Sequence, residues 1–299
     1  MNKIKFIVLL FLIAELNSFA QQNSQYTQYM YNMSVINPAY SGSSGIPVVR
    51  VAGRTQWVNI LGAPRTASFS IDAPVGRSVG LGFSVIHDRV GPVRENIVTG
   101  DFSYTIFTSD EGRLAFGLKG GFRSFDIGTL TTIDPDPINV PINRISAVVG
   151  AGVFYYTDKF YAGFSSPNLL KTKYDDRDVA VITDANDSAP FYLTSGYVFD
   201  ITDDIKLKPS TMFKMAAGSP LSIDLSTNLL INNNLEFGLS YRFDDSMAAM
   251  IGIQASQKIR FGYAFEYSTS NFGRFNSGTH ELLLIYKFNR RDMKSPRFF

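Results

Sequence analysis

Two histidines, His87 and His280, are all the imidazole the chain has, and it has no cysteine. Nucleophilic or acid–base catalysis needs such groups within hydrogen-bond reach of each other and of an orienting carboxylate. His87 closes one alternating segment beside Asp88-Arg89-Val90-Gly91-Pro92, and His280 opens the last one on its apolar parity. Nothing in that placement joins them, so the sequence reads as non-enzymatic. The missing cysteines remove thiolate metal sites, disulfides and a lipoprotein anchor together. Asp134-Pro135-Asp136, Asp175-Asp176-Arg177-Asp178 and Asp244-Asp245 offer the oxygen ligands calcium takes, but without EF-hand spacing, and they read as hydrated turns. Gly80-x-Gly82 and Gly150-x-Gly152 are followed by no helical pattern, so they are not phosphate loops; glycines inside strands relieve crowding. No cofactor and no metal is expected.

What the sequence does concentrate is charge on one parity. Arg50, Arg54, Lys119, Arg123, Lys206, Lys208, Lys214, Arg242, Lys258 and Arg260 stand with Asp72, Asp101, Asp224, Glu236 and Glu266 on the polar side of alternating segments. Such a set suits either an interior that selects an anionic solute or acidic segment, or a closed interior filled by ion pairs. Both readings stay open. The formal net charge of +2 gives the chain no general pull on nucleic acid.

The elements that position these charges follow from a two-residue rhythm. Leu221, Ile223, Leu225, Thr227 and Leu229 alternate with Ser222, Asp224, Ser226 and Asn228. After Asn232-Asn233-Asn234, Leu235, Phe237, Leu239, Tyr241 and Phe243 alternate with Glu236, Gly238, Ser240 and Arg242, which reads as a hairpin. Ile259 to Tyr267 repeats the rule, as do Ala67-Phe69-Ile71 and Leu114-Phe116-Leu118. Segments of about nine to eleven residues exceed a soluble strand and match a tilted membrane crossing. About fourteen of them lie between Val48 and Phe288. Short turns near 73–77, 108–112, 157–159, 200–204, 232–234 and 256–257 fall on one side, and the long connections 126–145, 171–190 and 268–278 on the other, as bacterial barrels require. The expectation is an all-β transmembrane antiparallel barrel of about 14 strands, lipid outside and polar lumen inside. With 25 Phe, 15 Tyr and 24 Gly against a single Trp, composition agrees.

Lys3 and Lys5, the apolar run Phe6 to Ile13 and the close in Ser18-Phe19-Ala20 read as a signal peptide over 1–20. An outer-membrane location follows. Residues 21–46 do not alternate and read as a periplasmic or plug segment that caps or enters the barrel from the periplasmic side; 47–289 form the barrel, and 290–299 a periplasmic tail. Lipid is the expected surroundings and nucleic acid is not a partner.

Specific motifs resemble the PorP/SprF family of type IX secretion outer-membrane proteins. They are Gln25-Tyr26-x-Gln28-Tyr29-Met30-Tyr31-Asn32, Asn37-Pro38-Ala39-Tyr40-x-Gly42, Arg54-x-Gln56-Trp57 in the first strand, Tyr161-x-Gly163-x-Ser165-x-Pro167, and Gly278-Thr279-His280-Glu281-Leu282. The resemblance implies a part in Bacteroidota-type secretion and gliding, beside the secretion motor or beside a large secreted adhesin that the barrel helps export or tether. Asn37, Pro38, Tyr40, Gly42, Arg54, Gln56 and Trp57 are the partner-binding or plug positions it points to. The rival reading is a channel for small or hydrophobic solutes with an N-terminal hatch.

Overall fold

Each alternating segment becomes a strand because its apolar parity can face lipid only if its polar parity faces an interior, and period two does both at once. The computed structural model describes residues 25–128, 141–170, 172–173, 186–187 and 189–288. The expected signal peptide, the tail 290–299 and the Asp134–Asp136 and Asp175–Asp178 clusters lie outside the described residues.

Fourteen antiparallel strands form the wall. They are β1 (Val48–Thr55), β2 (Arg65–Val75), β3 (Val79–Val90), β4 (Val93–Phe107), β5 (Arg113–Ile127), β6 (Ile142–Tyr156), β7 (Phe160–Ser166), β8 (Phe191–Tyr197, continued by Phe199–Asp200), β9 (Ile205–Met215), β10 (Ser222–Ile231), β11 (Leu235–Arg242), β12 (Ser246–Gln254), β13 (Ile259–Ser268) and β14 (Thr279–Lys287). Every strand pairs with its sequence neighbour, and β1 closes on β14 from Val48↔Lys287 to Thr55↔His280. Closure leaves no sheet edge for lipid to strand. No described helix is long and apolar enough to cross a membrane.

The connections sort by side. Residues 76–78, 108–112, 157–159, 201–204, 232–234 and 255–258 turn at the mouth where β1 begins, which is therefore the periplasmic one; β5, β7 and β13 end at the opposite, outer mouth, where the longer connections leave. Height is uneven around the wall. Strands β4, β5 and β6 each run 15 residues, whereas β7 has 7 and leaves the sheet at Pro167. Fifteen residues at about 3.3 Å each exceed a bilayer core even when tilted, so this part of the wall stands above the membrane on the outer side.

Outward positions carry exposed rings and aliphatics, among them Phe69, Phe83, Phe102, Phe116, Phe122, Leu239, Phe261 and Leu282. An apolar belt this continuous has no place on a water-soluble protein and is what a lipid-facing wall presents. Inward positions such as Asp72, Ser103, Lys208, Asn228 and Glu236 are fully buried although polar. What buries them is the segment before β1, which occupies the lumen.

One strand assignment needs correction. Arg54 ends its motif inside β1, but Gln56 and Trp57 lie beyond Thr55 in the outer connection. Trp57 has φ of 45°, and Gln56 donates its amide to the Pro64 carbonyl at 3.0 Å, so the chain turns here and does not continue the strand.

Candidate functional site

The segment 25–46 is built from short turns: a 3₁₀ turn at Tyr29–Tyr31, one helical turn at Met33–Ile36 and a second 3₁₀ turn at Pro38–Tyr40. Pro38 presets the first residue of that last turn, and Asn37 caps it, its Oδ1 accepting the Ala39 amide at 3.0 Å. Short turns leave many backbone groups without internal partners. The lumen wall supplies them. Rather than only capping the periplasmic mouth, the segment runs the height of the barrel.

At its upper end Glu281 accepts the amides of Thr27 and Gln28 at 2.8 and 2.9 Å. Arg54 locks that carboxylate from the other side at 3.1 Å and reaches Glu266 at 2.9 Å, while the Thr27 hydroxyl donates to Glu266 at 2.8 Å. Toward the periplasmic ends of β11 and β13, Tyr31 donates its hydroxyl to Glu236, which is also paired with Arg260. The same ring has the Arg260 guanidinium 3.8 Å and the Lys208 ammonium 4.3 Å from its centroid. A phenol thus meets a carboxylate at its edge and two cations at its faces, which fixes its position by charge as well as shape. Ser34 is within 3.2 Å of Ser70, and its carbonyl accepts Lys119, whose ammonium is 2.8 Å from Asp101.

Near the periplasmic mouth the Asn37-Pro38-Ala39-Tyr40-x-Gly42 motif docks by side chain and backbone. Asn37 donates its side-chain Nδ2 to the Val153 carbonyl at 3.1 Å, Ser103 donates to the Ser41 carbonyl at 2.6 Å, and the Gly42 amide donates to Asp72 at 3.0 Å. Asp72 in turn pairs with Arg50, whose guanidinium lies 5.5 Å from the Tyr40 ring centroid. Gly42 has φ of 76°, a conformation that favours glycine. Tyr40 also packs edge-on against Phe154 at 5.3 Å.

The wall makes room for this turn with glycines. A Cβ on Gly117 would overlap the Pro38–Ala39 peptide, one on Gly80 would overlap the Ser41 carbonyl, and one on Gly152 would overlap the Asn37 amide. These glycines, two of them from the Gly80-x-Gly82 and Gly150-x-Gly152 pairs, admit the plug. Their lumen parity was readable; the backbone they face was not.

The lumen charges resolve into pairs. Besides those above, Arg123 meets Glu95 at 2.7 Å, and Arg242 meets Asp224 at 2.7 Å, Asp245 at 3.0 Å and Glu266 at 3.7 Å. Glu95, Asp245 and Glu281 were absent from the lumen set read off the sequence, though Glu95 and Glu281 share the inward parity of their strands. Two cations of that set are not inside. Lys206 sits at the periplasmic rim, 3.8 Å from Asp200, and Lys258 lies exposed in the turn 255–258, where the strand pattern has ended. Asp200 also holds Lys159 at 2.8 Å and keeps its ammonium above the ordinary value through that hydrogen bond.

Between the plug and the wall a cavity of about 80 Å³ remains, lined by Tyr26, Ile86, Ile97, Arg123, Val148 and Tyr192 among others. The histidines both point outward. His87 bonds Asn96 at 2.7 Å, and His280 bonds the Tyr263 hydroxyl at 2.7 Å against Phe265. The register His87↔Ala67, Ala67↔Gly53, Gly53↔Leu282 ends two residues from His280, so the histidines stand three strand spacings and two residues apart, about 16 Å. Among the described residues no cluster of three or more His, Asp or Glu is arranged to hold a metal ion.

The same architecture occurs in solved outer-membrane barrels. A Pseudomonas aeruginosa FadL homologue matches with TM-score 0.52 at 12% identity, over 86% of this chain and 94% of that one. The Ralstonia pickettii toluene transporter TbuX matches with TM-score 0.52 at 9% identity, over 84% and 91%. At such identities the likeness concerns the fold alone. No curated protein matches the sequence. The family model described as type IX secretion system membrane protein PorP/SprF matches residues 18–286, nearly the whole chain, and this outer-membrane barrel protein belongs to that family.

Proposed function

We propose that this barrel is a non-enzymatic scaffold of the type IX secretion and gliding apparatus of a Bacteroidota cell, binding secretion-motor partners or helping to export and tether a large secreted adhesin. The observation that carries the reading is the lumen itself: Tyr29, Tyr31, Met33 and Tyr40 fill it and its charges are paired with one another around the plug. A conduit gains nothing from a core packed like this, whereas a scaffold gains a rigid frame for its outer connections. Family membership supports the secretion system as the setting. Pull-down from gently solubilised outer membranes is expected to recover motor components or a giant surface protein. Recovery of the barrel alone refutes the scaffold.

A channel for small or hydrophobic solutes is the second reading, favoured by the partly apolar cavity beside Tyr26 and Tyr192. It requires the plug to move. Planar-bilayer recording separates the two: the scaffold is silent, and a steady conductance from the intact protein supports the channel.

A further inference from the structure

The outer end of the wall carries three cations that no carboxylate neutralises. Arg65, Arg89 and Arg94 are exposed, whereas the residue beside each turns inward: Thr66 is buried, and Asp88 and Glu95 line the lumen cavity. The arginines therefore stand on the lipid-facing surface of β2, β3 and β4. Strand register sets them side by side, Arg65 opposite Arg89 and Arg89 opposite Arg94, in a strip about 10 Å wide. Like charges placed this way repel, and among the described residues none of the three makes an ion pair. Asp126 faces Arg94 in register but is not paired with it, and Arg89 reaches the Gly91 carbonyl at 3.5 Å.

Height matters as much as charge. The ten steps from Val79, beside the periplasmic turn, to Arg89 cover about 33 Å of strand and, at a tilt of about 40°, about 25 Å of membrane, the height of the apolar band on such barrels. The residues below agree. Phe69, Val85 and Val98 form an apolar row, Ala67, His87 and Asn96 the row above it, and the arginines the next. His87 Nδ1 donates to the Asn96 side-chain oxygen at 2.7 Å, which leaves the Asn96 side-chain nitrogen as a further donor on the same face. Elsewhere at this end the outward positions are residues such as Phe191, Met215, Tyr241, Met247 and Tyr267, and no other arginine or lysine of the described strands faces lipid there.

We infer that Arg65, Arg89 and Arg94 hold the phosphate of a phosphorylated glycolipid of the outer leaflet, whose acyl chains lie on the apolar wall below. The proposal rests on the outer-membrane placement and orientation of the barrel and not on its assignment to secretion. Guanidinium forks bind phosphate oxygens bidentately, and three in a row converge on such a group from one side. An amphiphile fits where a soluble anion does not, because Phe69, Val85 and Val98 offer its chains apolar surface directly beneath the charge. An acidic polypeptide fits less well, since the arginines lie on the membrane side of the wall, at the edge of the apolar belt and away from the lumen. Basic clusters at that level are the usual means by which a membrane protein recognises anionic headgroups.

The probe is bisphosphorylated lipid A, added to the full-length barrel purified in non-ionic detergent, with bound lipid counted by native mass spectrometry. An arginine beside an anionic headgroup is worth about fivefold in affinity, so Arg65→Gln, Arg89→Gln and Arg94→Gln are each expected to weaken binding about fivefold, and the triple variant roughly 100-fold. Neutralising Arg77, Lys159 and Lys206 to Gln removes the same charge from the periplasmic rim and is expected to leave lipid A binding unchanged. Lipid A stripped of its phosphates is expected to bind the unaltered protein no better than intact lipid A binds the arginine triple variant. Equal losses in the two triple variants, or equal binding of phosphorylated and dephosphorylated lipid, overturn the proposal. Phosphatidylglycerol bound as tightly and with the same arginine dependence overturns the glycolipid assignment. Displacement by millimolar inorganic phosphate gives the site to a free anion, displacement by polyglutamate gives it to an acidic protein, and either result overturns the lipid reading. Unheated gel mobility checks that each variant is a folded barrel, and the single substitutions decide the question if the triple does not fold. None of these outcomes depends on what the pull-down recovers.

Discussion

Gly117→Ala adds one carbon to the lumen wall, and the structure says what that carbon meets. It would lie 2.5 Å from Ala39 Cα, about 1 Å inside the ~3.5 Å at which two carbons rest. Its nearest neighbours are backbone atoms of Pro38 and Ala39, so no rotamer change relieves the overlap and the turn itself must shift. Overpacking of this kind costs about 1–3 kcal/mol, which multiplies the undocked fraction of the turn roughly 5- to 150-fold. The wall does not suffer equally, since alanine is no worse than glycine in a strand. Gly120→Ala in the same strand is the internal control, because a Cβ there has nothing within 4 Å. Purified variants are compared by chymotrypsin cleavage at Tyr40 and by bilayer conductance. Gly117→Ala is expected to be cut faster and to show flickering openings, with unheated gel mobility still that of a folded barrel. Gly80→Ala, whose Cβ would lie 2.7 Å from the Ser41 carbonyl carbon, is expected to behave the same way. If Gly117→Ala and Gly120→Ala are indistinguishable in both assays, the glycines are not there to admit the plug and the docking argument fails.

Arg54→Met leaves Glu281 buried without its cation and Glu266 with Arg242 alone, so a loss of about 3–5 kcal/mol is expected, seen as a lower temperature for loss of the compact gel band; an unchanged midpoint refutes the clamp. Tyr31→Phe keeps the ring between Lys208 and Arg260 but removes the bond to Glu236, for about 1.5–3 kcal/mol. Tyr31→Leu also loses the cation–ring contacts and must be the worse of the two by thermal melt. Leu239→Arg, outward in the middle of β11, is expected to destabilise the barrel by about 2–4 kcal/mol in a bilayer. An equal effect in detergent-free buffer would argue against lipid as its environment.

The wall was legible because each of its residues obeys one local rule. Leu225 faces lipid and Asp224 the lumen for reasons contained in a ten-residue window, and even the sorting of short and long connections follows from counting strands. Partnership inside the lumen obeys no local rule. Arg54 and Glu281 are 227 positions apart and meet only because β14 closes on β1. Tyr31 finds Glu236 through the height at which a non-periodic segment happens to lie. Parity places a side chain inside a barrel, but height and azimuth decide what it touches, and those depend on strand register and shear. Hence the alternation could expose a charged lumen and yet leave undecided whether its cations were free for a solute or already taken. The plug decides it. Its turns carry more backbone donors than they can satisfy internally, and Glu281, Asp72 and Ser103 become their acceptors and donors. Charges that would have lined a pore are thereby converted into the fixings of a core. A chain assembled in this way has its last strand complete the seat of its first residues, so closure of β14 onto β1 and capture of Thr27 and Gln28 by Glu281 are one event.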